Sequence, residues 1–250
     1  MKSPQERFSD RVENYIRHRP GYPPEIVDTL VGKAGLTPAA SVADIGSGTG
    51  ISAEMLLKAG YPVTGVEPNA GMRAAAERLL AGYAGFRSVD GSAQATTLPD
   101  HSVDLILAAQ AFHWFDTPET RAEFDRILKP GGHVALLWNV RLLDSTPFLR
   151  DYEALLLEFG TDYSETRHEN IGSESLHRFF RGPYSIDRFR NSQTFDYPAL
   201  EGRLLSSSYA PGPDHPRHQE MLGELRRIFG LHASGGFVDF EYTTELYIGK

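Results

Sequence analysis

Apolar positions along this chain change period several times, and the changes outline a fold. Phe8, Val12, Tyr15 and Ile16 recur at i, i+4, i+7 and i+8, a helical stripe that Pro20, Pro23 and Pro24 bring to an end. Pro23-Pro24 presets the first turn of a second helix, with Ile26, Val27, Leu30 and Val31 as its buried face. Short apolar runs then alternate with helical stripes. The runs are Ser41–Ile45, Val63–Glu67, Arg87–Asp90, Val103–Ala109 and His133–Trp138. Between them the spacing predicts one helix ending near Ala59-Gly60 and another from about Ala70 to Leu80, packed by Met72, Ala75, Ala76 and Leu79. A third opens with Thr117 as N-cap and Pro118 in its first turn, and Phe124, Ile127 and Leu128 pack it. Strand and helix in strict alternation predict an α/β fold: a parallel sheet with right-handed crossovers. Val103–Ala109 is apolar enough to be covered on both faces.

The pattern changes after Asn139. Phe148, Tyr152, Leu155, Leu156 and Phe159 form a helical stripe. Residues 161–183 are polar and aperiodic, and a mobile insertion over the site is expected there. The stretches Ser185–Phe195 and Phe237–Ile248 alternate like strands, with a helix from about Arg217 to Phe229 between them. No internal repeat interrupts the chain.

The chemistry concentrates where the first two strands end. Asp44-Ile45-Gly46-Ser47-Gly48-Thr49-Gly50 is a glycine-rich turn after a strand, which lets a ligand lie against bare backbone. Glu67 closes the next strand, 21 residues past Gly46, where an acid can accept hydrogen bonds from both hydroxyls of a ribose. Together they describe a pocket for an adenosine-containing cofactor. A dinucleotide fingerprint would place its third glycine at position 51, which is Ile51; here the third glycine is Gly50.

The resulting D-x-G-x-G-x-G pattern resembles the first motif of class I S-adenosylmethionine-dependent methyltransferases. Leu128-Lys129-Pro130-Gly131-Gly132 is similar to the helix stop before the fifth strand of that superfamily. Gln110 to Phe115 (QAFHWF), Tyr15 to Pro23 (YIRHRPGYP) and Gly202 to Pro211 (GRLLSSSYAP) resemble the narrower type 11 methyltransferase domain, including proteins similar to trans-aconitate methyltransferase. The resemblance implies a Rossmann-like, seven-stranded, mostly parallel sheet with helices on both faces and a reversed C-terminal β-hairpin. It implies a single domain: a helical lid over residues 1–38, a cofactor-binding core over 39–139, substrate-side insertions with the penultimate strand over 140–235, and the terminal strand over 236–250.

It also implies roles. S-adenosyl-L-methionine would lie along Gly46, Ser47, Gly48 and Gly50. Asp44 would hold its ammonium, or else brace the glycine turn through backbone N–H bonds. Glu67, followed by Pro68, would hold the ribose, and Met72 would pack on adenine or simply fill the core. Ser92 stands where relatives often have an acid for the adenine amino group, so it and the Ala93 backbone would share that contact. Gln110 and Ala111 would flank the transferring methyl. His113 and Trp114 would face the acceptor, with His113 as substrate contact or general base. Tyr15 and Arg19 would belong to the lid, Arg19 pairing with the cofactor carboxylate. The implied activity is methyl transfer to a small molecule, leaning toward O-methylation of a carboxylic acid. A non-catalytic S-adenosylmethionine-binding protein and an NAD-type oxidoreductase are the rival classes, the latter opposed by Ile51.

Composition narrows the partners. The net charge of −8 opposes non-specific attraction to nucleic acid. No run of 18 apolar residues predicts a membrane span, and the polar N-terminus MKSPQERFSDR lacks a signal core. Cysteine is absent, which excludes disulfides and thiolate chemistry and suits the cytoplasm. The nine histidines show no H-E-x-x-H, and the close pair His215 and His218 sits in a Pro-rich loop, so no metal is expected. A monomer or homodimer is expected.

Overall fold

The computed structural model describes residues 18–163 and 172–250. The N-terminal stripe around Phe8 to Ile16, including Tyr15, lies outside the described residues. The elements are α1 (Glu25–Ala34), β1 (Val42–Ile45), α2 (Ile51–Lys58), β2 (Val63–Val66), α3 (Ala70–Leu79), β3 (Phe86–Val89), β4 (Val103–Ala109), α4 (Pro118–Ile127), β5 (Leu128–Arg141), α5 (Pro147–Phe159), α6 (Ser173–Phe180), β6 (Ser185–Phe195), α7 (Tyr197–Leu205), α8 (His218–His232) and β7 (Val238–Gly249). The strands form one seven-stranded sheet in the order β3-β2-β1-β4-β5-β7-β6. Strands β1 to β5 pair in parallel, and β7 runs antiparallel to both of its neighbours.

Side chains alternate across the strands and feed two cores. Leu105 and Leu107 of β4 join Val42, Ala135 and Leu137 on one face, under Ile26, Leu30 and Leu56. Ile106 and Ala108 join Ala43, Ile45, Leu136 and Trp138 on the other, under Phe124, Phe179 and Phe180. That double burial explains why β4 carries so few polar residues. A third core gathers α5, α7 and α8 over β6 and β7, around Tyr152, Leu200, Leu225 and Phe240. No helix among the described residues is long and apolar enough to cross a membrane.

The helix starts follow local chemistry. Thr117, Thr146 and Asp196 each cap a helix by accepting a backbone N–H, and each is followed by Pro in the first turn. Four expectations need correction. Leu79 is 45% exposed, because α3 stops there and Leu80 turns inward instead. Val31 is likewise exposed, while Ile26 and Leu30 carry the buried face of α1. Leu128 to Gly132 is not a stop outside the sheet: β5 starts at Leu128, paired with Val103, and a register shift precedes His133. Residues 173–180 are not an insertion over the site but a helix whose Leu176, Phe179 and Phe180 fill the sheet core; residues 164–171 are outside the described range.

Candidate active site

The chain leaves β1 toward β2 on one side and meets β4 on the other, so the carboxyl ends of β1 and β4 flank a topological switch point. Crevices at such points are the ordinary ligand sites of open α/β sheets. The turn after β1 occupies this one. Its first N–H groups, of Gly46 and Ser47, donate to the Val66 carbonyl (2.8 and 3.3 Å) and pin the turn to β2. Gly46 has φ +69°, and a Cβ there would come within 2.8 Å of the Ala111 Cβ, so only glycine lets the turn sit on the end of β4. Gly48 has φ +55° with open space beyond it, a bare surface facing the pocket. Gly50 does not line the pocket: a Cβ at Gly50 would strike Leu80, which makes it a packing residue between α2 and α3.

Two carboxylates brace this turn. Asp44 is fully buried, and its Oδ2 accepts the Ser52 hydroxyl (2.7 Å) from the first turn of α2, while Oδ1 has no hydrogen-bond partner. Burial pushes its carboxyl up to about 7, the Ser52 bond pulls the other way, and the Glu67 charge adds to the rise. Asp44 thus steadies the helix behind the turn more than the turn itself. Glu67 reaches across from β2. Its Oε2 accepts the Gly48 N–H (3.1 Å) and its Oε1 the Asn69 N–H (2.9 Å). Burial raises its carboxyl too, opposed by those two backbone bonds and by the Arg73 charge.

The end of β4 supplies the facing wall. Gln110 is held at φ +54°, a left-handed conformation that costs a non-glycine residue on the order of 1–3 kcal/mol. Its N–H donates to Leu137 O (2.8 Å) and its side-chain amide to Asn139 O (3.2 Å), leaving Oε1 buried without a partner. A short 3₁₀ turn, Phe112–Trp114, follows. Phe112 is fully buried against Phe179 (centroids 4.5 Å apart), and Phe115 is buried beside it. With those two rings anchored, His113 and Trp114 are left to line the pocket, their rings 4.7 Å apart.

The adenosine side is assembled differently. Gly46, Glu67 and Asp90 follow the ends of three adjacent parallel strands, and the Glu67 N–H donates to Val89 O (3.2 Å). Met72 and Ala93 are buried in the protein, Pro68 and Ser92 are half-buried, and none of these four, nor Glu67, lines the pocket that holds the glycine turn and His113. Ser92 closes its loop by backbone bonds with Ala95 (3.1 and 3.2 Å).

The segment before α1 crosses the site and is tied to the C-terminal half. The Gly21 carbonyl accepts from Asn139 (3.1 Å) and Asn191 (2.9 Å), and Gln193 donates to His18 O (3.4 Å). Arg19 Nη2 donates to Ser206 O (3.1 Å), and Arg19 lines the pocket. A Cβ on Gly202 would lie 2.3 Å from the His18 ring, so the HRPGYP and GRLLSSSYAP segments pack directly on each other.

The remaining wall comes from residues that sequence reasoning passed over: Asn139 and Arg141 at the end of β5, Tyr163, Arg203 of α7, Tyr209, and Tyr242 of β7. Arg141 pairs with Glu153 and donates to the Tyr163 hydroxyl (2.9 Å), which itself donates to Glu153 (2.6 Å). Arg203 is buried with its guanidinium 6.0 Å from the Phe240 ring, donating from Nη1 to Ser207 Oγ (3.1 Å) beside the Tyr242 hydroxyl. A signal for Arg203 exists in the chain. Asp196-Tyr197-Pro198 is a helix start of the same kind as Thr117-Pro118, and it would have placed Arg203 between Leu200 and Leu204 on a buried face. Among the described residues no cluster of His, Asp or Glu could hold a metal ion.

The family model of the methyltransferase domain matches residues 43–136. An uncharacterized methyltransferase of Mycobacterium tuberculosis is 39% identical over 138 residues, 54% of this chain and 52% of that protein. One from Schizosaccharomyces pombe is 31% identical over 153 residues, 60% and 58% of the two chains. The chain thus spans a little over half the length of these curated relatives. Among solved structures, a provisionally named type II methyltransferase of Anaeromyxobacter dehalogenans superposes with a TM-score of 0.66 at 22% identity, covering 93% of this chain and 97% of that one. The phosphoethanolamine N-methyltransferase 2 of Haemonchus contortus, in complex with phosphomonomethylethanolamine and S-adenosylhomocysteine, superposes with a TM-score of 0.56 at 14% identity, covering 96% and 56%. At these identities the likeness is one of fold.

Proposed function

We propose that this chain, which carries a methyltransferase domain of the class I S-adenosylmethionine-dependent family, transfers a methyl group from that cofactor to a small-molecule acid. One observation carries the reading: a left-handed glycine turn at the switch point, open above Gly48 and braced by Glu67, lies within the residues that match the domain.

The residues present fit the cofactor. The bare backbone at Gly46 to Gly48 accommodates its amino-acid and ribose portions, and the Glu67 carboxylate, already at the turn, is placed to take the ribose hydroxyls. The orphaned Asp44 Oδ1 is a buried acceptor that suits a cationic amino group, and the orphaned Gln110 Oε1 is a second acceptor on the pocket wall. When bound, S-adenosylmethionine supplies an electrophilic methyl on a positively charged sulfur that departs as a neutral thioether.

The protein's own task is alignment and exclusion of water. The Phe112 and Phe115 anchors hold His113 and Trp114 against the acceptor. A carboxylate acceptor is already a nucleophile, so His113 serves to orient it rather than to remove a proton. The segment around Arg19 to Tyr22, pinned by Asn139 and Asn191, covers the site from the N-terminal side.

The test pairs binding with turnover. Calorimetry with S-adenosylhomocysteine should show binding to the wild-type protein, and transfer of labelled methyl to acids should be detectable. In His113→Ala, affinity for S-adenosylhomocysteine should stay within about 2-fold while transfer falls by roughly 10- to 100-fold. Loss of both together would make His113 a structural residue, and no binding at all would remove the methyltransferase reading.

A further inference from the structure

The pocket wall built by β5, α7 and β7 carries charge that its own lining does not balance. Two guanidiniums of that wall, of Arg141 and Arg203, line the pocket, and among the described residues no Asp or Glu does. This occurs in a chain whose net charge is −8. Arg141 has a counter-ion behind it in Glu153, yet its Nη1 is buried with no partner. Arg203 is only 7% exposed, forms no ion pair with any described residue, and leaves its Nε buried and unpartnered. Its other neighbours are aromatic: Phe240, Tyr152, Tyr209 and Tyr242. A buried cation without a counter-charge is strongly disfavoured unless something negative joins it.

We propose that Arg203, helped by the unpartnered edge of Arg141, binds an anionic group of the acceptor that lies away from the atom receiving the methyl. Two features separate this group from the reacting one. The glycine turn and His113 follow the carboxyl ends of β1 and β4, whereas Arg203 lies on α7, which packs over β6 and β7 on the far side of β5 in the sheet order. A carboxylate gripped by a buried guanidinium also has its lone pairs committed to hydrogen bonds, which makes it a poor nucleophile. The acceptor is therefore an acid with two poles: a reacting oxygen near Gln110 and His113, and a second carboxylate or a phosphate at Arg203. Arg203 is then the specificity-determining residue. The inference rests on the methyltransferase reading only for the position of the reacting end.

The experiment uses the full chain saturated with S-adenosylhomocysteine. Calorimetry with succinate and aromatic dicarboxylates, with their monomethyl and dimethyl esters, and with inorganic phosphate as a separate arm, measures the anion site directly. Dianions should bind at least 10-fold more tightly than the dimethyl esters, and the arm that binds better distinguishes carboxylate from phosphate. Arg203→Met should lose about 10- to 100-fold of that affinity, Arg203→Lys should recover part of it, and both should bind S-adenosylhomocysteine within 2-fold of wild type. Neutral esters binding the wild-type protein as well as the acids do would overturn the proposal, as would unchanged preference in Arg203→Met. If Arg203→Met fails to fold, the wild-type and Arg203→Lys comparisons decide alone. Failure to bind S-adenosylhomocysteine would count against the methyltransferase reading, whereas its binding without anion preference would count against this inference only.

Discussion

The two walls of the pocket are made of different material. The wall that follows β1 is mostly backbone: a glycine turn whose first N–H groups donate to Val66 O of β2 and whose Gly48 N–H donates to the Glu67 carboxylate. The wall from β5, α7 and β7 is mostly long side chains, with buried guanidiniums set among tyrosines. A backbone cradle fits any ligand that shares one scaffold, because it reads shape and leaves little to vary. A side-chain wall can be rewritten one residue at a time, and on the proposal above its charge sets which acceptor is admitted. On that proposal the constant chemistry sits on the rigid element and the selective chemistry on the adjustable one.

Three substitutions probe this contrast, in descending size of effect. Glu153→Ala strips the counter-ion from Arg141, whose side chain, like that of Glu153, is only 11% exposed. Removing one partner of such a pair costs about 3–5 kcal/mol, to be read as a fall in the urea midpoint. A loss below about 1 kcal/mol would mean that the side-chain wall is not held by charge.

Asp44→Asn tests the backbone wall through pH. The Asp44 carboxyl rises from 3.8 to about 7 on folding, so the folded protein binds that proton more tightly than the unfolded chain. Its contribution to stability therefore falls as pH climbs through that window and is level above it. Asn keeps an acceptor for Ser52 and removes the titration. The ligand-free variant should be more stable than wild type by about 2–4 kcal/mol at pH 8 and equal to it near pH 4. Denaturation series at the two pH values compare them; a variant less stable at pH 8 would show that the ionised Asp44 is already compensated.

Glu67→Ala is the smallest of the three. It should weaken S-adenosylhomocysteine by about 1–3 kcal/mol and leave the anion preference at Arg203 untouched. Calorimetry showing a change in both would mean that the two walls are coupled.

The same contrast governs what could be read from the chain. The glycine turn, Glu67, β4 and the Thr117-Pro118 helix start are legible because each depends on residues within a few positions of one another. Seven strands and the antiparallel β7 needed the family resemblance, since alternation in residues 185–195 and 238–249 says nothing about which edge they join. The wall of Arg141, Arg203 and Tyr242 was legible only in part, through the Asp196-Tyr197-Pro198 helix start that places Arg203 on a buried face. Arg141, Arg203 and Tyr242 meet only because β7 sits between β5 and β6, and an arginine in an amphipathic helix ordinarily faces water. Leu80 for Leu79 and the packed α6 were missed for a smaller reason: a helix that stops one residue before its expected end, and a polar stretch whose Leu176, Phe179 and Phe180 fall at helical spacing.

The placement of β7 also sets an order of assembly. Among the described strands β6 pairs only with β7, which is made after the other six and slots in between it and β5. During synthesis the first five strands can zip together as they emerge, but β6 must wait unpaired until residue 238 and beyond leave the ribosome. The segment at His18 to Tyr22 waits with it, because Asn191 and Gln193 of β6 hold it down. On the proposal above, the wall that selects the acceptor is therefore completed after the crevice at the glycine turn, and the nascent chain passes through a stage with that crevice formed and the other wall missing.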